Sequence, residues 1–250
     1  MKKSIIFITA LIMMIGCGSK TTSDTVCETS VPNDGDKTIY GMACDGCNDT
    51  ILVYLTLPYD GEDPDTLYIL DAYKNHRVIG TPHIGDKLAI MRCEDDSTCA
   101  ETVIVLEQLM GDWCYQVKPE WKQRADFEGE TTQQQLNNLP DSILELLSVP
   151  HEYCYSIRSD NMLFTMGMRH TSPTSDEKMS IEYPEQKFYN EWTIFNGHLV
   201  LSDCHKDSLG QRIVEASDTV ELLMLDADTL MLHFSDGIRG FYRKAEESKE

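Results

Sequence analysis

The sequence predicts an all-β protein that contains two small antiparallel barrels, the second of which is an up-and-down meander. Short runs rich in Val, Ile, Leu and Tyr recur along the chain, and Asp, Gly and Pro separate them. Asn-Gly and Asp-Gly pairs, which suit tight hairpin turns, stand between several runs in the second half. The hydrophobic fraction of 41% and the charged fraction of 25% are typical of a globular protein.

Residues 1–16 have the pattern of an export signal. Lys2 and Lys3 precede an apolar run over residues 5–15, which is too short to span a membrane. A glycine and then Cys17 follow at once, and this order resembles the lipobox of bacterial lipoproteins. The resemblance implies cleavage before Cys17 and acylation of its thiol, so that Cys17 becomes the lipid anchor. An ordinary secretory signal cleaved nearby is the alternative interpretation.

A flexible tether is predicted over residues 17–37, which are rich in Ser, Thr, Asp and Gly. With the acylated cysteine, the tether predicts a protein of the cell envelope whose membrane contact is its N-terminal lipid. Gly18 stands where some lipoproteins carry the aspartate that retains them in the inner membrane. We therefore expect the outer membrane.

Five short strands are predicted in the first domain, residues 38–107. They are Thr38–Met42, Thr50–Leu57, Thr66–Ala72, Lys87–Met91 and Thr102–Leu106. A Gly-Asp turn directly before the fourth strand resembles the pattern of small β-barrels of the OB and SH3 type.

The charge of the chain excludes nucleic acid as a partner. OB domains that bind single strands present aromatic platforms in a positive groove, whereas residues 40–107 hold four basic and thirteen acidic side chains. The whole chain carries a net charge of −21, which becomes −23 when Lys2 and Lys3 leave with the signal. Such a surface repels phosphates.

The second domain, residues 108–244, is predicted to be a meander, and a polar tail over residues 245–250 follows it. Consecutive hairpins favour antiparallel strands, and about eight such strands close most readily into a barrel. After a first strand that starts at Gly111, the predicted strands are Tyr153–Ile157, Met162–Met168, Phe188–Phe195, His198–Ser202, Thr219–Leu225, Thr229–Phe234 and Ile238–Arg243.

The start of this domain carries a family resemblance. Gly111-Asp112-Trp113 has the G-x-W spacing that begins the first strand of lipocalins. Together with the order of the hairpins, it resembles the lipocalin-like domains of bacterial lipoproteins and implies a lipocalin-like barrel. An inserted segment, residues 118–150, departs from that pattern and contains a predicted helix over Asp141–Leu147.

Strand alternation places a set of aromatic and methionine side chains on common faces. They are Trp113, Tyr115, Tyr153, Tyr155, Met162, Phe164 and Met166. A barrel of about eight strands either holds one small ligand or fills its interior with side chains. This set therefore predicts the lining of an apolar ligand pocket, with an ordinary packed core as the alternative.

Eight cysteines remain besides Cys17, and an even number in an exported chain favours disulfides. Cys93 and Cys99 flank an acidic loop between two predicted strands and are the first pair we name. Cys44 and Cys47 form a CxxC, for which a structural disulfide or free thiols are favoured over a redox or zinc site. The cysteines in or beside predicted barrel strands are expected to be packing thiols: Cys114, Cys154 and Cys204.

The sequence contains none of the common catalytic or nucleotide-binding motifs, so we expect a protein without cofactor or metal that is not an enzyme. Two functions fit the predicted fold. The first is a lipoprotein whose barrel binds a small apolar or amphipathic ligand. The second is an interaction or structural module with a filled barrel, whose loops and insertion contact a protein or glycan of the envelope.

Overall fold

The computed structural model describes residues 35–121, 141–167 and 181–245, all within one compact unit. Several predictions lie outside the described residues: the signal over 1–16, the anchor Cys17, most of the tether, the middle of the insertion and the tail over 246–250. Within the described ranges, no helix has both the length and the apolar composition needed to cross a membrane.

The all-β prediction is confirmed. The described residues form a six-stranded sheet, an eight-stranded antiparallel sheet and a two-stranded sheet. The six-stranded sheet, called the first sheet below, consists of β1 (Ile39–Ala43), β2 (Ile51–Thr56), β3 (Asp65–Tyr68), β4 (Val78–Ile79), β5 (Lys87–Arg92) and β6 (Ala100–Val105). Two short helices flank its last strands, α1 (Leu70–Lys74) and α2 (Leu106–Leu109).

The first sheet is mixed, so the prediction of a purely antiparallel first barrel is wrong. Its strand order is β3-β2-β1-β5-β6-β4, and β4 runs parallel to β6. A parallel bridge between Tyr68 and Cys99 also joins the end of β3 to the start of β6, which brings the two sides of the sheet together. The resemblance to OB and SH3 barrels stays a prediction.

The predicted strand Thr66–Ala72 is wrong in its second half, where the chain turns into α1. The Ile69 N–H donates to the carbonyl of Thr50, 2.9 Å away, and the helix then buries Ala72 while Tyr73 faces solvent. Asp71 in the first turn and Lys74 in the last suit the helix dipole.

The eight-stranded sheet forms a nearly closed barrel, called the barrel below. Its strands are β7 (Gly111–Val117), β9 (His151–Ile157), β10 (Leu163–Met166), β12 (Glu191–Phe195), β13 (His198–Lys206), β14 (Arg212–Leu225), β15 (Thr229–Phe234) and β16 (Gly237–Arg243). Outside it, β8 (Glu120–Trp121) pairs with β11 (Ile181–Glu182), and α3 covers Asp141–Ser148.

Each barrel strand pairs with the next barrel strand of the chain, and β16 pairs with β7, as an up-and-down meander requires. The weakest seam lies between β10 and β12, which an isolated bridge between Met162 and Glu191 joins. The predicted Asn-Gly turn between β12 and β13 forms, with positive φ angles of 48° at Asn196 and 76° at Gly197. This conformation is the one that type I′ hairpins need.

One hydrophobic core spans both sheets. The first sheet contributes Ile79, Ala89 and Ile104, and the barrel contributes most of its inward side chains, among them Trp113, Tyr155, Trp192, Leu199, Leu201, Leu230 and Phe241. Tyr40 of β1 adds a hydrogen bond from its hydroxyl to the carbonyl of Ile194, at 3.1 Å. A second cluster, with Leu52, Tyr54, Leu88 and Ile90, lies within the first sheet alone. The sheets therefore pack directly against each other.

Candidate functional site

Four of the seven predicted pocket residues point toward the barrel interior. Trp113, Tyr153 and Tyr155 are buried, and Tyr115 is half-buried. The antiparallel register of β7 and β9 places Trp113 opposite Tyr155 and Tyr115 opposite Tyr153. The rings contact one another, with the Tyr115 and Tyr153 centroids 5.8 Å apart in an edge-to-face arrangement.

The other three predicted pocket residues are on the outside of the barrel, so that part of the prediction is wrong. Met162, Phe164 and Met166 are 44%, 52% and 40% exposed. The inward positions of β10 belong to Leu163 and Thr165 instead. Strand alternation then places Phe164 and Met166 on the outer face.

As far as the described residues line it, the barrel interior is filled. Its residual cavity has a volume of about 10 Å³, which is about the room that one water molecule needs. The cavity is lined by Trp113, Tyr155, Ile157, Leu163, Leu199, Leu201, Leu230, Leu232 and Phe241. The alternative that the sequence left open, a packed core, therefore describes this interior.

An arginine closes one end of the barrel. The Arg243 guanidinium lies 4.1 Å from the Trp113 ring centroid and donates hydrogen bonds to the carbonyls of Gln108, at 2.6 Å, and Met110, at 2.7 Å. The indole Nε1 of Trp113 donates to the carbonyl of Leu109, at 2.8 Å. These contacts satisfy the polar groups of both side chains and seal this end.

The glycine of the G-x-W motif is required by this same closure. Gly111 has a φ of +145°, which L side chains rarely adopt. A Cβ at this position would lie 2.1 Å from Nη1 of Arg243. The guanidinium of Arg243 thus packs against both ends of the motif, the glycine backbone and the Trp113 ring.

Two tyrosines of the barrel domain are held by hydrogen bonds from their hydroxyls. The Tyr155 hydroxyl donates to the carbonyl of Lys187, at 3.1 Å, and the Tyr189 hydroxyl donates to the carboxylate of Asp218. Lys187 Nζ lies 2.9 Å from that carboxylate. Burial acts to raise the pKa of Asp218, but the hydrogen bonds from Tyr189 and Lys187 outweigh it and lower the pKa below its ordinary value. Burial also raises the pKa of Tyr155 and Tyr189.

A second space lies between the first sheet and the barrel. This inter-sheet cleft has a volume of about 330 Å³ and is formed by the segment after α1, by β4, β5 and β6, by the β12–β13 turn and by β14. Its apolar lining includes Ile79, Met91 and Leu222. Its polar lining comprises Asn75, His76, Arg77, Glu101, Thr102, Asn196, His198 and Glu221.

Part of the polar lining is already paired. Arg77 and Glu101 form an ion pair, and the Glu221 carboxylate lies 3.3 Å from Nδ1 of His233. The amide of Asn196 is fixed because its Oδ1 accepts a hydrogen bond from the backbone N–H of Lys37, at 2.8 Å. These contacts hold the rim of the cleft in place.

The remaining polar side chains of the cleft are available. Within the described part of the chain, no hydrogen-bond partner is found for the side chains of Asn75, His76, Thr102 and His198. Amide, imidazole and hydroxyl groups all both donate and accept hydrogen bonds when neutral. The inter-sheet cleft therefore offers solvent-accessible polar groups of mixed character, without protein partners among the described residues, beside an apolar surface.

The cysteines follow the prediction in part. Cys93 and Cys99 are bonded, with their Cα atoms 5.7 Å apart. Cys114 and Cys154 are also bonded, with a Cα–Cα distance of 4.1 Å, so their prediction as packing thiols is wrong. The β7–β9 register places these two residues directly opposite each other. Cys204 is a buried thiol whose pKa is raised by burial to about 11.

Metal-ligand chemistry has one geometric candidate among the described residues, the group of Cys114, Glu152 and Cys154. The disulfide between the two cysteines removes both thiolates. One carboxylate remains, and a single carboxylate does not make a metal site. Cys44 and Cys47 are free, half-buried thiols in the turn between β1 and β2.

Sequence reasoning missed the inter-sheet cleft. Its polar side chains come from separate segments of the chain, and each looks like an ordinary polar residue of a turn or strand edge. Comparisons with protein-family models, with curated protein sequences and with solved structures find no match to this chain.

Proposed function

We propose that this chain is a lipid-anchored binding module of the cell envelope that recognises its partner at the inter-sheet cleft and not inside the barrel. The observation that carries the proposal is the contrast between the two spaces. The barrel cavity measures about 10 Å³, whereas the inter-sheet cleft measures about 330 Å³. Of the two functions that the sequence allows, this contrast supports the interaction module with a filled barrel.

The close packing of the barrel interior makes ligand binding there energetically unfavourable. A guest would have to displace side chains such as Trp113 and Leu230, which are 1% exposed. Protein cores are packed like organic crystals and do not reopen without a large loss of contacts. Arg243 and the Tyr189–Asp218 pair would also lose their hydrogen bonds. The cleft, in contrast, is already open.

The membrane anchor in this proposal is Cys17, acylated after removal of residues 1–16, and the membrane is the outer membrane. In this proposal residues 18–37, rich in Ser, Thr, Asp and Gly, connect the anchor to the folded body. The end of this segment is attached to the folded body through Asp36, whose carboxylate accepts a hydrogen bond from the N–H of Asn196, at 3.0 Å. A single acyl chain anchors only marginally, so two or more are needed for stable attachment.

The anchor is tested by cell fractionation with two matched variants. Cys17→Ala removes the acylated thiol, and we expect the protein to leave the membrane fraction. Cys27→Ala removes a cysteine of the same N-terminal region and is expected to stay there. Retention of Cys17→Ala in the membrane fraction, with an unacylated N-terminus by mass, would contradict the anchor.

The filled barrel is tested by native mass spectrometry of the mature chain, released from its own host with a mild detergent. We expect the mass of the protein with its acyl chains, unchanged in composition after denaturation. An additional apolar molecule that is present in stoichiometric amount and that denaturation removes would show a carrier barrel. That result would reject the proposed function.

A further inference from the structure

We infer that the inter-sheet cleft binds a neutral, hydroxyl-rich ring, that is, one residue of a saccharide. This inference rests on the proposed function, since it names the class of ligand for the same site. It follows from the size of the cleft, from the character of its free polar groups and from its charge.

The volume of the inter-sheet cleft suits one ring. Small-molecule sites range from roughly 300 to 1,000 Å³, and the cleft, at about 330 Å³, lies at the lower end. An extended apolar chain would also need a longer and more apolar groove. A single compact and polar group fits these dimensions.

The free polar groups of the cleft match hydroxyls. Asn75 and Thr102 offer an amide and a hydroxyl from the first sheet and its connections, and His198 offers an imidazole from the barrel. Each of these groups donates and accepts hydrogen bonds, and a sugar hydroxyl does the same. Met91 and Leu222 provide apolar surface beside them, which complements the C–H face of a pyranose ring.

The charges of the cleft disfavour an anion. The guanidinium of Arg77 is already neutralised by its ion pair with Glu101. Glu221 adds a further carboxylate, and the chain as a whole carries a net charge of −21. A phosphate or carboxylate ligand would therefore enter without an unpaired guanidinium or lysine in the lining to receive it.

The inference is tested by a two-dimensional amide NMR titration of the mature chain. The saccharide probes are the methyl glycosides of glucose, galactose and N-acetylglucosamine. Glucuronate serves as the matched anion with the same ring, and cyclohexylmethanol as the matched ring without most of the hydroxyls. We expect at least one glycoside to shift the backbone amides of Asn75, Gly197 and His198, and to bind more tightly than glucuronate or cyclohexylmethanol.

Two histidine variants locate the binding site. His198→Ala removes a free imidazole from the cleft, and we expect roughly tenfold weaker glycoside binding, as for the loss of one ligand hydrogen bond. His205→Ala removes an exposed histidine of the same strand whose Nδ1 lies 3.3 Å from Glu215, and we expect unchanged binding. Equal effects of the two variants would overturn the assignment to the cleft.

The probes separate failure of this inference from failure of the proposed function. Tighter binding of glucuronate at the cleft amides overturns the neutral charge of the ligand, and tighter binding of cyclohexylmethanol overturns its hydroxyl-rich character. Either result leaves the cleft as the site. Absence of cleft shifts with every glycoside also overturns the saccharide class. Shifts from cyclohexylmethanol confined to interior amides such as Trp113 and Tyr155 overturn the proposed function as well.

Discussion

The barrel and the inter-sheet cleft use their polar side chains in opposite ways. Inside the barrel, Arg243 and Asp218 are each satisfied by protein groups, through backbone carbonyls in one case and through Tyr189 and Lys187 in the other. In the cleft, Asn75 and His198 point at no hydrogen-bond partner among the described residues. The polar groups of the barrel thus stabilise the fold, whereas those of the inter-sheet cleft remain accessible to a ligand.

The two sheets also differ in how they are closed. The disulfide of the first sheet, Cys93–Cys99, links residues six apart in sequence within one hairpin. The barrel disulfide, Cys114–Cys154, links residues 40 apart on neighbouring strands. The barrel strands follow one another in chain order, whereas the first sheet places β1 beside β5 and adds a parallel strand. The long-range covalent link therefore lies in the barrel, whereas the first sheet relies on long-range strand pairing.

Replacement of Trp113 by alanine should give the largest effect. It removes a buried aromatic side chain, the stacking surface of Arg243 and the hydrogen bond to Leu109. We expect a loss of roughly 5 kcal/mol in the free energy of unfolding, measured by denaturant titration. Phe164→Ala is the matched control on the outer face, with an expected loss of about 0.5 kcal/mol. Similar losses for both would contradict the inward and outward assignments.

Removal of the disulfides should rank second. From the length of the loop that each closes, we expect a loss of about 4 kcal/mol for the pair Cys114→Ala and Cys154→Ala, and about 2 kcal/mol for Cys93→Ala with Cys99→Ala. Chemical denaturation of the two double variants measures both values. A larger loss for the Cys93 and Cys99 double variant would contradict the expected dependence on loop length.

Gly111→Ala tests the closure at the Arg243 end. The new Cβ would displace the Arg243 guanidinium from the carbonyls it binds, and the alanine would have to keep a φ of +145°. We therefore expect a loss of about 3 kcal/mol in the free energy of unfolding. Gly237→Ala, at a φ of +134° with no neighbour within 4 Å, carries only the backbone cost, about 1 kcal/mol. Thermal unfolding of the two variants gives the difference. Equal losses of stability for the two variants would show that Arg243 does not limit the space at residue 111.

Asp218→Asn should have the smallest effect and a distinct pH dependence. Because its pKa is lowered in the folded state, the carboxylate stabilises the fold above the unfolded-state pKa, near 3.8, and this contribution is lost as the pH falls through the folded-state value. We expect a loss of roughly 1.5 kcal/mol at pH 7 that disappears in acid. Asp236→Asn, a more exposed pair with Arg239, is the control and should change stability by less than about 0.5 kcal/mol. A pH-independent loss would contradict the role of the charge.

The sequence was most informative where structure is local. The strand Thr229–Phe234 and the Asn196-Gly197 turn are predicted as they occur, and the helix over Asp141–Leu147 differs from α3 by one residue. Hairpins bring neighbours in sequence together, so alternation and turn residues suffice to predict them. The parallel pairing of β4 and β6 depends on residues far apart in sequence, and no local signal marks it.

The site was less predictable than the fold, for two physical reasons. On β10, both phases of the alternation contain apolar residues, and which one faces inward depends on the space that Tyr153, Tyr155 and Tyr189 leave. The cleft depends on how one sheet packs against another, which no pattern within either sheet encodes. The Cys114–Cys154 pair belongs to the same class, because an inserted segment separates the two strands that bring it together.

Xenon binding in pressurised crystals tests the filled interior most directly, because xenon enters apolar cavities that exceed its size. We predict no xenon among Trp113, Tyr155 and Leu230 in the native chain, whose cavity there is about 10 Å³. Leu230→Ala opens space at the same place and should bind xenon, which shows that the gas reaches the interior. Xenon bound inside the native barrel would contradict a packed core and return the barrel to the role of a ligand carrier.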